Sequence, residues 1–93
     1  MFPTLSRHAQ TRLQQRGIPF QVVGTLLDFG RIRHDHHGAT VMYFDHRARR
    51  ELRRTYGETG YRSLERHLDA YAVVAGDGVV MTVGHRTRRM SRS

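Results

Sequence analysis

The sequence predicts an α+β fold, with two N-terminal helices packed on a four-stranded, mostly antiparallel sheet and a short basic helix or turn in the middle. Three observations lead there. Apolar residues recur at helical spacing as far as Gly30, the pattern then changes to period two, and two pairs of β-forming runs each flank a glycine-bearing turn. The 93 residues hold one domain with a modest core. It divides into a helical hairpin over 1–30, an antiparallel sheet over 31–86 with an insert at about 47–68, and a basic tail over 87–93.

The first helix is expected from about Leu5 to Arg16, with Thr4 and Ser6 as candidate caps and Gly17 as its stop. Leu5, Ala9 and Leu13 form its apolar stripe. Pro19 suits the first turn of the second helix, "PFQVVGTLLDFG", whose buried face is read as Phe20, Val23, Leu26 and Leu27 and whose end is Gly30. Next, "RIRHDHH" and "TVMYFDH" flank "HGA" as a hairpin. "ARRELRRTYG" reads as a short basic helix stopped by Gly57, and "ETGYRSLERHLD" fits a loop, a helical turn or an irregular strand. "AYAVVA", a "GDG" turn and "VVMTVGH" make the second hairpin. Strict alternation in its last strand puts Val79, Met81, Val83 and His85 on one face, with Val80, Thr82, Gly84 and Arg86 on the other.

Composition narrows the function. There is no cysteine, so disulfides and thiolate metal sites are excluded. No apolar run approaches the roughly 20 residues that span a bilayer, and "MFPTLSRH" lacks a secretory h-region. A cytoplasmic protein without membrane partners is expected. All 16 basic residues are arginine, against 8 acidic ones, for a net charge of +8. Coding bias accounts for missing lysine but not for the charge. Guanidinium forks match phosphate oxygens and stack on bases, so nucleic acid is the expected partner, and an acidic protein would answer the same field.

Residues with chemistry fall in three places. His8, Arg12 and Arg16 lie four apart in one row beside the apolar stripe. A solvated helix edge would look the same, but His85 and Arg86 end the last strand, and a helix packed across that end would let His8 face His85. Between them, His34 and His36 share one side of a strand, with Tyr43 and Asp45 on a face of the next. "HDHH", including His37, also invites a metal reading, but spacing supplies no second ligand pair. No metal or other cofactor is expected. Metal-free RNA cleavage needs a base for the 2′-hydroxyl, an acid for the leaving oxygen and fixed positive charge on the phosphorane-like transition state. Histidine near neutral pKa serves the first two and arginine the third. The catalytic candidates are therefore His8, Arg12, Arg16, His85 and Tyr43. Arg47, Arg50, Arg53, Arg86, Arg88 and Arg89 are the expected nucleic-acid contacts.

The opening "SRHAQTRLQQRGIPFQVVGTLLDFGRI" resembles the start of a family of short bacterial domains of unknown function. That family opens with His-Ala-x-x-Arg-x-x-x-Arg-Gly-Ile, here His8, Ala9, Arg12, Arg16, Gly17 and Ile18. "VVMTVGHRTRR" resembles its final strand, although Gly84-His85 stand where an aromatic residue commonly follows. The likeness covers the two ends, about half the chain. The family is grouped with the barnase, colicin and RelE-type ribonuclease superfamily, many of whose members are toxins of toxin–antitoxin pairs. The resemblance implies a metal-independent RNA endonuclease with an acidic antitoxin, and matches His8, Arg12 and Arg16 to the family's helix motif. Two other readings stand beside it: a non-catalytic module that binds nucleic acid or protein, and a toxin of the same fold directed at gyrase. An exposed edge strand containing "AYAVVA" or "VVMTV" would allow a homodimer or β-addition of an antitoxin segment.

Overall fold

Ser6 decides where the first helix begins. In the computed structural model, which describes residues 3–34 and 38–86, its side chain accepts the backbone N–H of Ala9 at 3.1 Å. Helix α1 therefore spans Arg7–Arg16, starting later than the apolar stripe suggests. Leu5 lies outside it, in a parallel bridge to Val80. Gly17 ends α1 in the left-handed region at φ 62, and the Ile18 N–H reaches the Leu13 carbonyl at 3.0 Å, a Schellman-type closure. Pro19 stands in extended backbone just before α2 (Phe20–Phe29), one residue ahead of the first turn expected for it and with no side-chain cap. Its buried residues are Val22, Val23 and Leu26, whereas Phe20 is 41% exposed, a correction to the expected face. The short Gly17–Pro19 connection rotates α2 so that the 22–23–26 arc meets the sheet. Phe20 is left at the rim beside Pro3, Leu5 and Leu13.

The sheet is a meander of β1 (Arg31–His34), β2 (Thr40–Tyr43), β3 (Ala70–Val74) and β4 (Val80–His85). Its order is β1-β2-β3-β4 and every neighbouring pair is antiparallel. Between β2 and β3 the expected short helix is α3, His46–Leu64. Asp45 caps it, accepting the Ala48 N–H at 2.8 Å. Gly57 does interrupt the helix, at φ 72 and ψ 179, but helical backbone resumes beyond it and runs into a 3₁₀ turn over Glu65–His67. Glycine permits that backbone at no steric cost, so the stop became a kink. Arg49 ties this excursion down by donating to the carbonyls of Phe44 at 3.3 Å and Leu68 at 3.2 Å.

All three helices bury their apolar residues in one core, against Met42, Ala70, Ala72, Val74, Val80 and Val83 of the sheet. Register places the remaining residues on the other face in two rows. One is Arg31, Tyr43, Tyr71 and Gly84; the next is Arg33, Val41, Val73 and Thr82. None of the described helices covers that face. Strict alternation fails once, in β4. Val73 pairs with Thr82 but Val74 pairs with Val80, so Met81 is an extra residue in a bulge and is 46% exposed. The bulge brings Val80 onto the core face with Val83, correcting the expected grouping of Val79, Met81 and Val83.

The edges also differ from expectation. "AYAVV" is the interior strand β3 and offers no edge. The start of β4 is covered by the chain before α1. Val80 donates to the Thr4 carbonyl at 2.8 Å and Ser6 donates to the Val80 carbonyl at 2.9 Å. No described helix is long and apolar enough to cross a membrane.

Candidate nucleic-acid interface

The α1 row forms as its spacing requires. Arg12 Nε donates to His8 Nε2 at 3.4 Å across one helical turn, so this contact leaves Nδ1 as the protonated nitrogen of a neutral His8. His8 is exposed and Arg12 half-buried. Arg16, exposed in the last turn, complements the helix dipole and makes no ion pair among the described residues. An imidazole and two guanidiniums thus line one side of α1.

At the end of β4 two neighbours part to opposite faces. His85 turns toward the helices and stacks on His67, with ring centroids 5.7 Å apart and planes 15° from parallel. It does not meet His8, as the sequence had suggested. The turn over Glu65–His67 brings His67 against His85. Burial, then His85, then Arg66 hold the His67 imidazole below its usual pKa. His67 Nδ1 and His85 Nε2 are buried without a hydrogen-bond partner among the described residues. Sequence reasoning missed His67 because the segment holding it carries no clear period.

Arg86 turns to the open face. Its guanidinium carbon lies 5.2 Å from the Tyr43 ring centroid, a cation–π contact. Tyr71, opposite Tyr43 in the register, leans over Gly84. A Cβ on Gly84 would stand 3.1 Å from its ring and hydroxyl. The register sets Tyr43 and Tyr71 opposite each other on adjacent strands of this face, with Arg31 and Arg33 on the same face and Arg86 against the Tyr43 ring. Such a surface can stack unpaired bases and hold phosphates. Sequence reasoning found Tyr43 and Arg86 here. It missed Tyr71, Arg31 and Arg33, for which the alternation in "RIR" and "AYA" was the available signal.

The other candidates scatter. Asp45 is engaged as the α3 cap and pairs with Arg31 at 3.6 Å, so it is not poised beside Tyr43 for proton transfer. Arg47 and Arg50 are exposed on α3 and make no ion pair among the described residues. Arg53 is engaged within the fold, 2.8 Å from Glu58 and 4.5 Å from the Tyr61 ring centroid. Arg88, Arg89, His36 and His37 lie outside the described residues. Among the described residues no group of three or more His, Asp or Glu side chains could hold a metal ion. No family model matches the chain, and comparison with curated proteins and with solved structures returns no match.

Proposed function

We propose that this protein is a metal-independent RNA endonuclease of the RelE and barnase type, the toxin of a bacterial toxin–antitoxin pair. The observation that carries the reading is the open sheet face, where Tyr43 and Tyr71 lie among Arg31, Arg33 and Arg86 in a chain of net charge +8. Aromatic faces favour unpaired bases, which selects single-stranded RNA over duplex. His8 takes the proton of the 2′-hydroxyl as that oxygen attacks phosphorus, and water protonates the leaving 5′-oxygen. Arg12 and Arg16 supply fixed charge to the transition state, while Arg86 beside Tyr43, on the face the helices leave uncovered, holds a neighbouring stretch of the strand. An acidic antitoxin masks the basic face in the resting pair.

Labelled single-stranded RNA incubated with purified protein in EDTA tests this. Cleavage is expected to survive EDTA, to vanish in His8→Ala and to need more protein in Tyr71→Ala. Cleavage that persists in His8→Ala but stops in Tyr43→Phe would move the base to the sheet face. One observation favours a second reading. His8 and His85 make no contact with each other, so a paired imidazole acid and base is not assembled. On that reading the protein only binds RNA, and wild type retains intact RNA in the same assay. A gyrase-directed toxin would instead arrest growth with DNA damage and intact transcripts.

A further inference from the structure

The α1 row sets two of its members in competition. A neutral imidazole has one nitrogen lone pair in its ring plane, and a general base accepts its proton there. In the free protein that lone pair is taken. Arg12 Nε donates to His8 Nε2 at 3.4 Å, which leaves the proton on Nδ1. Held this way, His8 has nothing to offer a hydroxyl.

The contact is long for an N–H donor, and its acceptor is uncharged. Neither side chain has another hydrogen-bond or ion-pair partner among the described residues, and α1 carries no acidic residue to claim the guanidinium. Two arginines of α3 are held differently. Arg53 lies 2.8 Å from Glu58 and Arg54 3.0 Å from Glu51, so a phosphate arriving there must displace a carboxylate. At Arg12 it displaces only an imidazole nitrogen. A charge-assisted bond to phosphate is about twice as strong as one to a neutral acceptor, so the phosphate wins. Arg16 gives the movement a direction. It stands one turn beyond Arg12, about 6 Å along the axis, on the side away from His8, and makes no ion pair among the described residues. A phosphodiester that accepts from both guanidiniums draws Arg12 off the imidazole.

We infer that Arg12 is a positioning residue that masks His8 until substrate arrives: it occupies Nε2 in the free protein, and an RNA phosphate bound by Arg12 and Arg16 releases that lone pair. The inference rests on the reading of the α1 row as the cleavage site. The 2′-hydroxyl proton then moves to Nε2, giving an imidazolium that already holds a proton on Nδ1. The 2′-oxygen forms its bond to phosphorus as the bond to the 5′-oxygen breaks, and water protonates the leaving oxygen. A chain that meets no phosphate keeps its base covered.

The tautomer of His8 is the readout. Protein carrying isotope-labelled histidine is followed by long-range proton–nitrogen NMR at about pH 8, above the ordinary imidazole pKa, with His8→Gln to assign the signal. The probe is a single-stranded deoxyoligonucleotide, which presents phosphodiesters but has no 2′-hydroxyl to cleave. Free wild type is expected to hold the His8 proton on Nδ1. Arg12→Ala, a change that suits a helix, should move it toward Nε2, and the oligonucleotide should shift wild type toward the Arg12→Ala pattern. Arg16→Ala should need roughly fivefold more oligonucleotide for the same shift. The same tautomer in wild type and Arg12→Ala, no shift up to millimolar oligonucleotide, or an equal requirement in Arg16→Ala would each overturn the inference. RNA cleavage by wild type with no tautomer shift sinks the masking and leaves the ribonuclease reading standing. A shift in a protein that leaves RNA intact supports the masking contact and overturns the ribonuclease reading.

Discussion

Two residues near the end of β4, His67 stacked on His85 and Gly84 beneath Tyr71, report on single-residue physics. His67 takes up its proton at a lower pH in the folded chain than the ordinary imidazole value of 6.5, because burial, His85 and Arg66 all oppose the charge. The unfolded chain therefore binds that proton first, and stability falls as pH drops from about 6.5 toward the folded value. Above that window both states are neutral and the term vanishes. Denaturant midpoints are expected to decline between about pH 7 and about pH 5, before most carboxylates titrate. His67→Phe, which keeps the stack on His85, should flatten part of that decline. An unchanged slope would assign the acid sensitivity to other histidines. Gly84 makes a different point. It lacks a side chain where Tyr71 needs the space, and Tyr71 is half-buried and able to lift. Gly84→Ala should cost about 1 kcal/mol in denaturation, while near-ultraviolet circular dichroism shows the tyrosine environment changed.

At the scale of elements, two glycines of one helix predict opposite outcomes. Gly24 lies inside α2 with nothing within 4 Å of a would-be Cβ. Gly24→Ala should therefore stabilise by about 0.5–1 kcal/mol through helix propensity. Gly30 ends the same helix, and its Cβ would strike the Leu26 carbonyl while crowding the Tyr43 carbonyl at 3.4 Å. Gly30→Ala must open the last turn of α2 or move it off β2, for a loss of about 1–3 kcal/mol. Thermal melts of the two variants should move in opposite directions. Gly57 shows why α3 outran its sequence prediction. Read locally it is a helix stop, and its backbone is indeed non-helical. Tyr61 beyond it is nevertheless buried in the core, with Leu64 packed partly buried against it, so burial restarts the helix that the glycine broke.

For the whole molecule, the one-sided packing of helices matters most. It leaves one sheet face uncovered by the described helices, and on the proposed reading, in which that face holds a strand of RNA, the net charge of +8 makes binding depend on salt. Each phosphate contact on single-stranded RNA contributes about −0.7 to the slope of log K against log salt. Arg86→Ala should make that slope shallower by about one contact. Arg53→Ala should leave it unchanged, because Glu58 already neutralises that guanidinium. A slope equally sensitive to both would mean that RNA is held by diffuse charge and not by the sheet face.

Local chemistry was enough to name the first two helices, the start of α3 and the strands. Ser6 and Gly17 mark the ends of α1 through capping and backbone freedom, Pro19 and Gly30 stand in extended backbone at the two ends of α2, and the change to period two marks the hairpins. The row of His8 and Arg12 was legible because four-residue spacing alone brings those side chains together. What crosses between elements was not. The stack of His85 on His67, the engagement of Arg53 with Glu58 and Tyr61, and the bulge at Met81 each depend on a partner fixed by packing or register. So does the open face. Period two states that alternate residues of a strand share a side, but not which side the helices will cover. The sequence by itself determined the first two helices, the strands, the charge and the α1 row, since these rest on neighbours within a turn or a hairpin. Tertiary structure alone decided that Arg31, Tyr43, Tyr71 and Arg86 meet on one surface. Strand order and helix burial are properties of the whole chain.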